Sequence, residues 1–185
     1  MKLYGSYTSP FVRHCRIVLL ETAQECEFIE TDAAASATQS PTKRVPFLQD
    51  GEQFFSDSSA IVKHLRSKAG QVFFASDREF DEFCLVNTTL DATLNLFFIE
   101  RDSVNIKEVP YLQRQAARIA SCLAELDSLP LPEHPPYNDT QLRLACYIGW
   151  ALFRKRIDFS PYPNLLAFYA GINLYPHFLN TAPEQ

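Results

Sequence analysis

The chain has 185 residues, 46% hydrophobic and 21% charged, the balance of a soluble globular protein with one or two domains. Its net charge of −5 argues against a basic face for nucleic acid, and no stretch is long and apolar enough to cross a membrane. The first residues hold no apolar core followed by a cleavage site, so a cytoplasmic protein without a signal peptide is expected. The five cysteines (Cys15, Cys26, Cys84, Cys122 and Cys146) form no CxxC pair and, with the histidines, no set with ligand spacing. Neither a disulfide framework nor a metal site is expected.

In chain order, residues 3–7 read as a strand and 10–23 as a helix, with Phe11, Cys15, Val18 and Leu19 at helical spacing. Residues 27–31 read as a second strand, and 33–42, small and polar, as a loop or loose helix. A hairpin of 46–49 and 53–55 is predicted across Asp50-Gly51, a strong turn signal. A helix over 58–67 follows, with Ile61, Val62 and Leu65 on one face. The order β-α-β then β-β-α is that of a thioredoxin-like fold. Residues 1–70 are therefore taken as that domain, 71–76 as a linker and 77–185 as an all-helical bundle domain.

In the second part, Asp77 is read as the cap of a long helix carrying Phe80, Phe83, Phe97 and Phe98, whose rings are expected to serve helix packing. Thr89, Ala92 and Thr93 are candidates for lining an apolar pocket. A helix over 111–127 and a proline-rich loop over 129–137 follow. Asn138, with Gln141 three positions on, predicts a capping-box start to a buried helix reaching 152. A further helix is expected over 161–173.

Three short segments carry the chemistry. Ser9-Pro10 is a good helix start, with serine as cap and proline in the first turn. The free N–H groups and positive dipole end of such a helix also favour a thiolate, and a hydroxyl beside it adds a hydrogen bond. Val45-Pro46 opens a strand and is a candidate cis bond that would present Val45's backbone groups to a peptide. Asp57-Ser58 starts the third helix; it is a cap pair, or else a carboxylate for a ligand ammonium beside a hydroxyl for a ligand carboxylate. Lys43 and Arg44 precede Val45, either as solvated cations or as partners for a second carboxylate. A γ-glutamyl peptide carries this set of groups, which points to glutathione.

The segments 7–13, 44–48 and 57–61 together resemble the cytosolic glutathione S-transferase family, in its serine-type bacterial and tau-like branch. The resemblance implies a thioredoxin-like domain, a helical bundle domain, a homodimer, and glutathione as co-substrate without a metal. It implies that Ser9 activates the thiol, with Thr8 as second candidate for the hydroxyl. Lys43, Arg44, Val45, Pro46, Asp57 and Ser58 would hold glutathione. The thiolate would then attack an apolar electrophile or an organic peroxide, with neither nucleic acid nor membrane as partner. Two alternatives stay open: a non-catalytic binding or regulatory member, such as a stringent-starvation-like partner of RNA polymerase, and a glutathione-dependent thiol reductase or lyase. Serine where the reductases carry cysteine disfavours the last. Cys15, on the core face of its helix, reads as a small buried hydrophobe.

Overall fold

The computed structural model describes residues 1–31 and 33–183. Residue 32 of the expected first domain and residues 184–185 of the second lie outside them. The described chain divides into two compact units, Met1–Ala75 with the terminal segment from Asn173, and Ser76–Ile172.

The first unit is thioredoxin-like. Its elements are β1 (Lys2–Gly5), α1 (Pro10–Glu21), β2 (Glu27–Glu30), α2 (Ala33–Gln39), β3 (Phe47–Asp50), β4 (Gln53–Phe55) and α3 (Ser58–Lys68). The sheet order is β2-β1-β3-β4, with β1 and β2 parallel and the other pairs antiparallel. The parallel pair needs the α1 crossover, while β3 and β4 close through a turn in which Gly51 has φ +60°, where a Cβ would be strained. Leu3, Leu48, Cys15, Val18, Ile61, Val62 and Leu65 form the core between sheet and helices. Cys15 is thus core, as its spacing implied. Residues 33–42, read as a loop or loose helix, contain the regular α2.

The unit is completed by the end of the chain, in α8 (Pro176–Leu179). The sequence reading grouped residues 77–185; here the chain from Asn173 packs on α1 instead. A cause is Arg13, a residue 4% exposed in the first turn of α1. It donates to the Phe178 carbonyl at 2.8 Å and to the Thr181 hydroxyl at 3.4 Å, and lies 3.6 Å from the Phe178 ring centroid. A buried cation needs such partners. Tyr175 adds a hydroxyl bond to Glu21, whose other oxygen holds Arg66 at 2.6 Å.

The second unit is helical, with α4 (Asp77–Arg101), a 3₁₀ turn at Ile106–Glu108, α5 (Pro110–Ser128), α6 (Asp139–Phe153) and α7 (Pro163–Ile172). Ser76, not Asp77, caps α4: its hydroxyl accepts from the Glu79 N–H at 3.2 Å, and Asp77 becomes a first-turn acid suited to the dipole. The Asn138–Gln141 capping box is present in both directions, at 2.9 and 3.0 Å. Residues 142–151 of α6 are all buried, Arg143 among them, so the helix is enclosed on every side. Of the four α4 phenylalanines, Phe83 is buried, whereas Phe80 and Phe98 are about half exposed at 52% and 51%. Thr89 and Thr93 are buried and spend their hydroxyls on α4 carbonyls, Thr93 also meeting the Tyr147 hydroxyl at 2.9 Å. Ala92, with Leu96, Phe98 and Tyr111, borders a cavity of about 260 Å³ between α4 and α5. No described helix is long and apolar enough to cross a membrane.

Candidate active site

The register of the sheet decides which chain segments meet. Tyr4 pairs with Phe47, and Leu48 with Phe55. The C-terminal end of β1, the start of β3 and the end of β4 therefore lie at one end of the sheet. Ser9, Val45-Pro46 and Asp57 are each within four residues of those strand ends, so the backbone brings the three predicted segments to one edge.

Ser9 is the N-cap of α1, extended at φ −79° and ψ 127°, and its Oγ accepts from the Val12 N–H at 3.4 Å. That bond is long for N–H···O, and a serine hydroxyl that accepts at one lone pair still has its O–H to donate. No acidic residue stands in the first turn of α1, so the positive end of the helix is not neutralised from within. Thr8, the second candidate, is engaged locally: its hydroxyl lies 3.2 Å from that of Ser6, which also accepts from the Thr8 N–H at 3.4 Å. Ser6 was missed at the sequence level, since a Ser/Thr turn before a helix is a weak signal in a single chain.

The Val45–Pro46 peptide is cis. Val45 is partly exposed and Pro46 buried, directly before β3. Lys43 and Arg44 are exposed, and Lys43 has φ +53°. Their loop is tied back by the Thr42 hydroxyl, which donates to the Ser56 carbonyl at 3.4 Å. This sets the Lys43–Arg44 loop beside the residue preceding Asp57, a link the sequence does not disclose.

Asp57 is the N-cap of α3. Its Oδ1 accepts from the N–H groups of Ser59 at 2.8 Å and Ala60 at 3.3 Å. Here too the first helical turn contains no acid. Ser58, the first helical residue, is 6% exposed, and its carbonyl faces the Cys15 thiol at 3.9 Å. Ser58 thus sits deeper than Asp57 and joins the start of α3 to α1.

Other polar groups of the unit lie at the opposite end of the sheet. Asp50 Oδ2 accepts from His64 Nε2 at 2.9 Å and Lys68 Nζ at 2.5 Å. These bonds, that from Lys68 foremost, hold its carboxyl below the usual range. Burial pushes the Cys26 thiol up, the reverse of what a nucleophilic cysteine requires. Among the described residues, no group of three or more His, Cys, Asp or Glu could hold a metal ion.

Residues 3–73, which contain all three segments, match the family model of the glutathione S-transferase N-terminal domain. The first unit therefore carries a glutathione S-transferase N-terminal domain. A probable glutathione S-transferase of Oryza sativa subsp. japonica is 33% identical over 52% of this chain and 48% of its own length. The chain thus matches about half of that relative. Glutathione S-transferase Z1 of Arabidopsis thaliana is 24% identical over 100% of this chain and 92% of its own. The fold agrees with the crystal structure of a glutathione S-transferase from Methylobacillus flagellatus KT with glutathione bound. That likeness has a TM-score of 0.84 at 21% identity and covers 99% of both chains.

Proposed function

We propose that the first unit binds glutathione and lowers the pKa of its thiol for transfer to an electrophilic small molecule. The observation that carries this reading is the meeting of Ser9, Val45 and Asp57 at one sheet end, Ser9 and Asp57 as helix caps and Val45 just before a strand. In this arrangement the Val45 backbone N–H and C=O pair with the cysteinyl part of the peptide as an added strand would. Asp57 Oδ2 takes the γ-glutamyl ammonium. Ser58 takes the neighbouring carboxylate. Lys43 and Arg44 meet the glycyl carboxylate.

Ser9 Oγ donates to the glutathione sulfur, and the α1 dipole adds to that bond. Thr8 is the lesser candidate because its hydroxyl is occupied with Ser6. A free thiol titrates near about 8.5, and such surroundings lower it by a unit or more, raising the thiolate fraction at neutral pH. The thiol proton leaves to water. The sulfur then forms a C–S bond to the electrophile, whose leaving group departs with the bonding pair. An organic peroxide is a second acceptor for the same thiolate. The reading extends to a homodimer in the cytoplasm, with sedimentation velocity as the check of the dimer.

Titration calorimetry with glutathione tests the site. Wild type is expected to bind, Ser58→Ala to weaken binding, and Asp57→Asn to weaken it while α3 stays capped, since asparagine caps as well as aspartate. Turnover is followed with a dinitro-activated aryl chloride. Absence of binding at millimolar glutathione would overturn the reading. Binding without turnover would leave a carrier or regulatory protein.

A further inference from the structure

The helical unit gathers cations around one aromatic ring. Helices α4 and α6 run side by side in the same direction. Thr140 at the start of α6 donates to the Glu79 carbonyl at the start of α4, and near their ends Trp150 meets Phe97 edge-on at 5.5 Å. Both C-termini therefore finish at one place. There the guanidinium carbons of Arg101, Arg154 and Arg156 lie 5.7, 6.0 and 5.5 Å from the Phe97 ring centroid. Arg154 also lies 5.1 Å from the Phe153 ring centroid.

The backbone turn that permits this is a helix stop with a lysine where glycine is usual. Lys155 has φ +52°. Its N–H bonds the Leu152 carbonyl at 3.0 Å, and the Arg156 N–H bonds the Ala151 carbonyl at 2.8 Å, the paired bonds of a Schellman motif. The left-handed lysine is strained. It turns the chain so that Arg154 and Arg156 both reach Phe97.

Acceptors are scarce around these donors. Arg156 pairs with Glu100, yet its Nε is buried with no acceptor among the described residues. Neither Arg101 nor Arg154 meets a carboxylate among the described residues. Asp102, which follows Arg101 in the chain, borders the cavity with Phe98 and Tyr111, and Asp158 is bonded to Ser160. The negative ends of α4 and α6 amount to about half a charge each, so they offset one of the three arginines. Attraction to a ring face is about 0.5–1 kcal/mol at an exposed site, and one ring is shared three ways.

We propose that this cluster binds a small aromatic carboxylate. A guanidinium fork matches a carboxylate in two-bond geometry, and the partly exposed Phe97 and Phe153 offer an apolar surface for a flat body. A bare phosphate would share the charge but leave that surface uncovered. The proposal does not depend on glutathione binding.

Trp150 is the single tryptophan of the chain, so intrinsic fluorescence reports on the cluster itself. The full chain is titrated at low ionic strength with benzoate, benzamide and inorganic phosphate. Benzoate is expected to give a saturable change, benzamide none, and phosphate a response at least about fivefold weaker in affinity, for want of apolar contact. Arg101→Gln and Arg154→Gln, both at exposed positions, are each expected to weaken benzoate about fivefold. Arg78→Gln, at the far end of α4, leaves it unchanged, and added salt weakens it through screening. An equal response to benzamide, no saturable response to benzoate, or indifference to both arginine variants would overturn the proposal. Phosphate binding as tightly as benzoate would overturn the carboxylate assignment.

Discussion

The two units assemble their polar groups by different means. In the first, each candidate site residue stands at a landmark of the local chain: Ser9 and Asp57 are helix caps, and Val45 precedes a strand. The physical features that start those helices, free N–H groups and a dipole end, are the ones an anionic ligand requires. In the second unit the basic cluster belongs to no local pattern. It exists because α4 and α6 align their ends, bringing Phe97 and Arg101 to Arg154 and Arg156 across more than fifty residues of chain. A site built on caps can be read from one sequence; a site built on helix packing waits for the fold.

If that contrast holds, breaking a tertiary anchor should damage the first unit more than altering a polar pair. The largest effect is expected at Arg13→Ala. It removes a buried cation from the Phe178 carbonyl and ring and should destabilise by about 3 kcal/mol, combining lost packing with an unpaired carbonyl. Urea unfolding measures the loss, and hydrogen exchange should show protection falling first in α8. Next comes Gly5→Ala. A Cβ there would sit 2.6 and 2.7 Å from the Val12 γ-carbons, so α1 must move away from β1. About 2 kcal/mol is expected from overpacking, together with weaker glutathione binding because Ser9 moves with α1.

Tyr147→Phe probes the helical unit and should lose about 1 kcal/mol with the Thr93 hydrogen bond. Burial raises the Tyr147 pKa well above its ordinary value. The neutral phenol's contribution is thus whole below about pH 10 and fades as pH rises, because the unfolded chain ionises first. A stability–pH difference curve between wild type and Tyr147→Phe should show that alkaline slope in wild type. The smallest effect is expected at Asp50→Asn, under about 1 kcal/mol, since Lys68 is partly solvated. With the carboxyl lowered by Lys68 and then His64, its contribution is present above about pH 4 and lost as pH falls further. Thermal unfolding of the pair from pH 7 to pH 2.5 should converge at the acid end.

Much of the first unit was legible because its signals are short-range. The helical spacing of Phe11, Cys15, Val18 and Leu19, the Asp50-Gly51 turn and the proline in the first turn of α1 each fixed an element within a few residues of its observed bounds. The Asn138–Gln141 box worked equally well in the second unit. What escaped were consequences of distant contact. Nothing local tells Arg13 that Phe178 will cover it, so the return of the chain end to the first unit was not foreseen. Ser76 and Asp77 are both good caps by composition, and only the geometry shows which oxygen reaches the Glu79 N–H. Thr89 and Thr93 looked like pocket residues because a threonine in a helix sequence does not reveal that its hydroxyl is turned to a carbonyl one turn back.

The most direct test of the central claim is the ultraviolet absorbance of the thiolate of bound glutathione as a function of pH, in wild type and Ser9→Ala. The account predicts a bound thiol titrating at least about one unit below the free value near 8.5, and a return toward that value in Ser9→Ala with glutathione still bound. A bound thiol that titrates like free glutathione in wild type, or one whose titration is the same in both proteins, would contradict it.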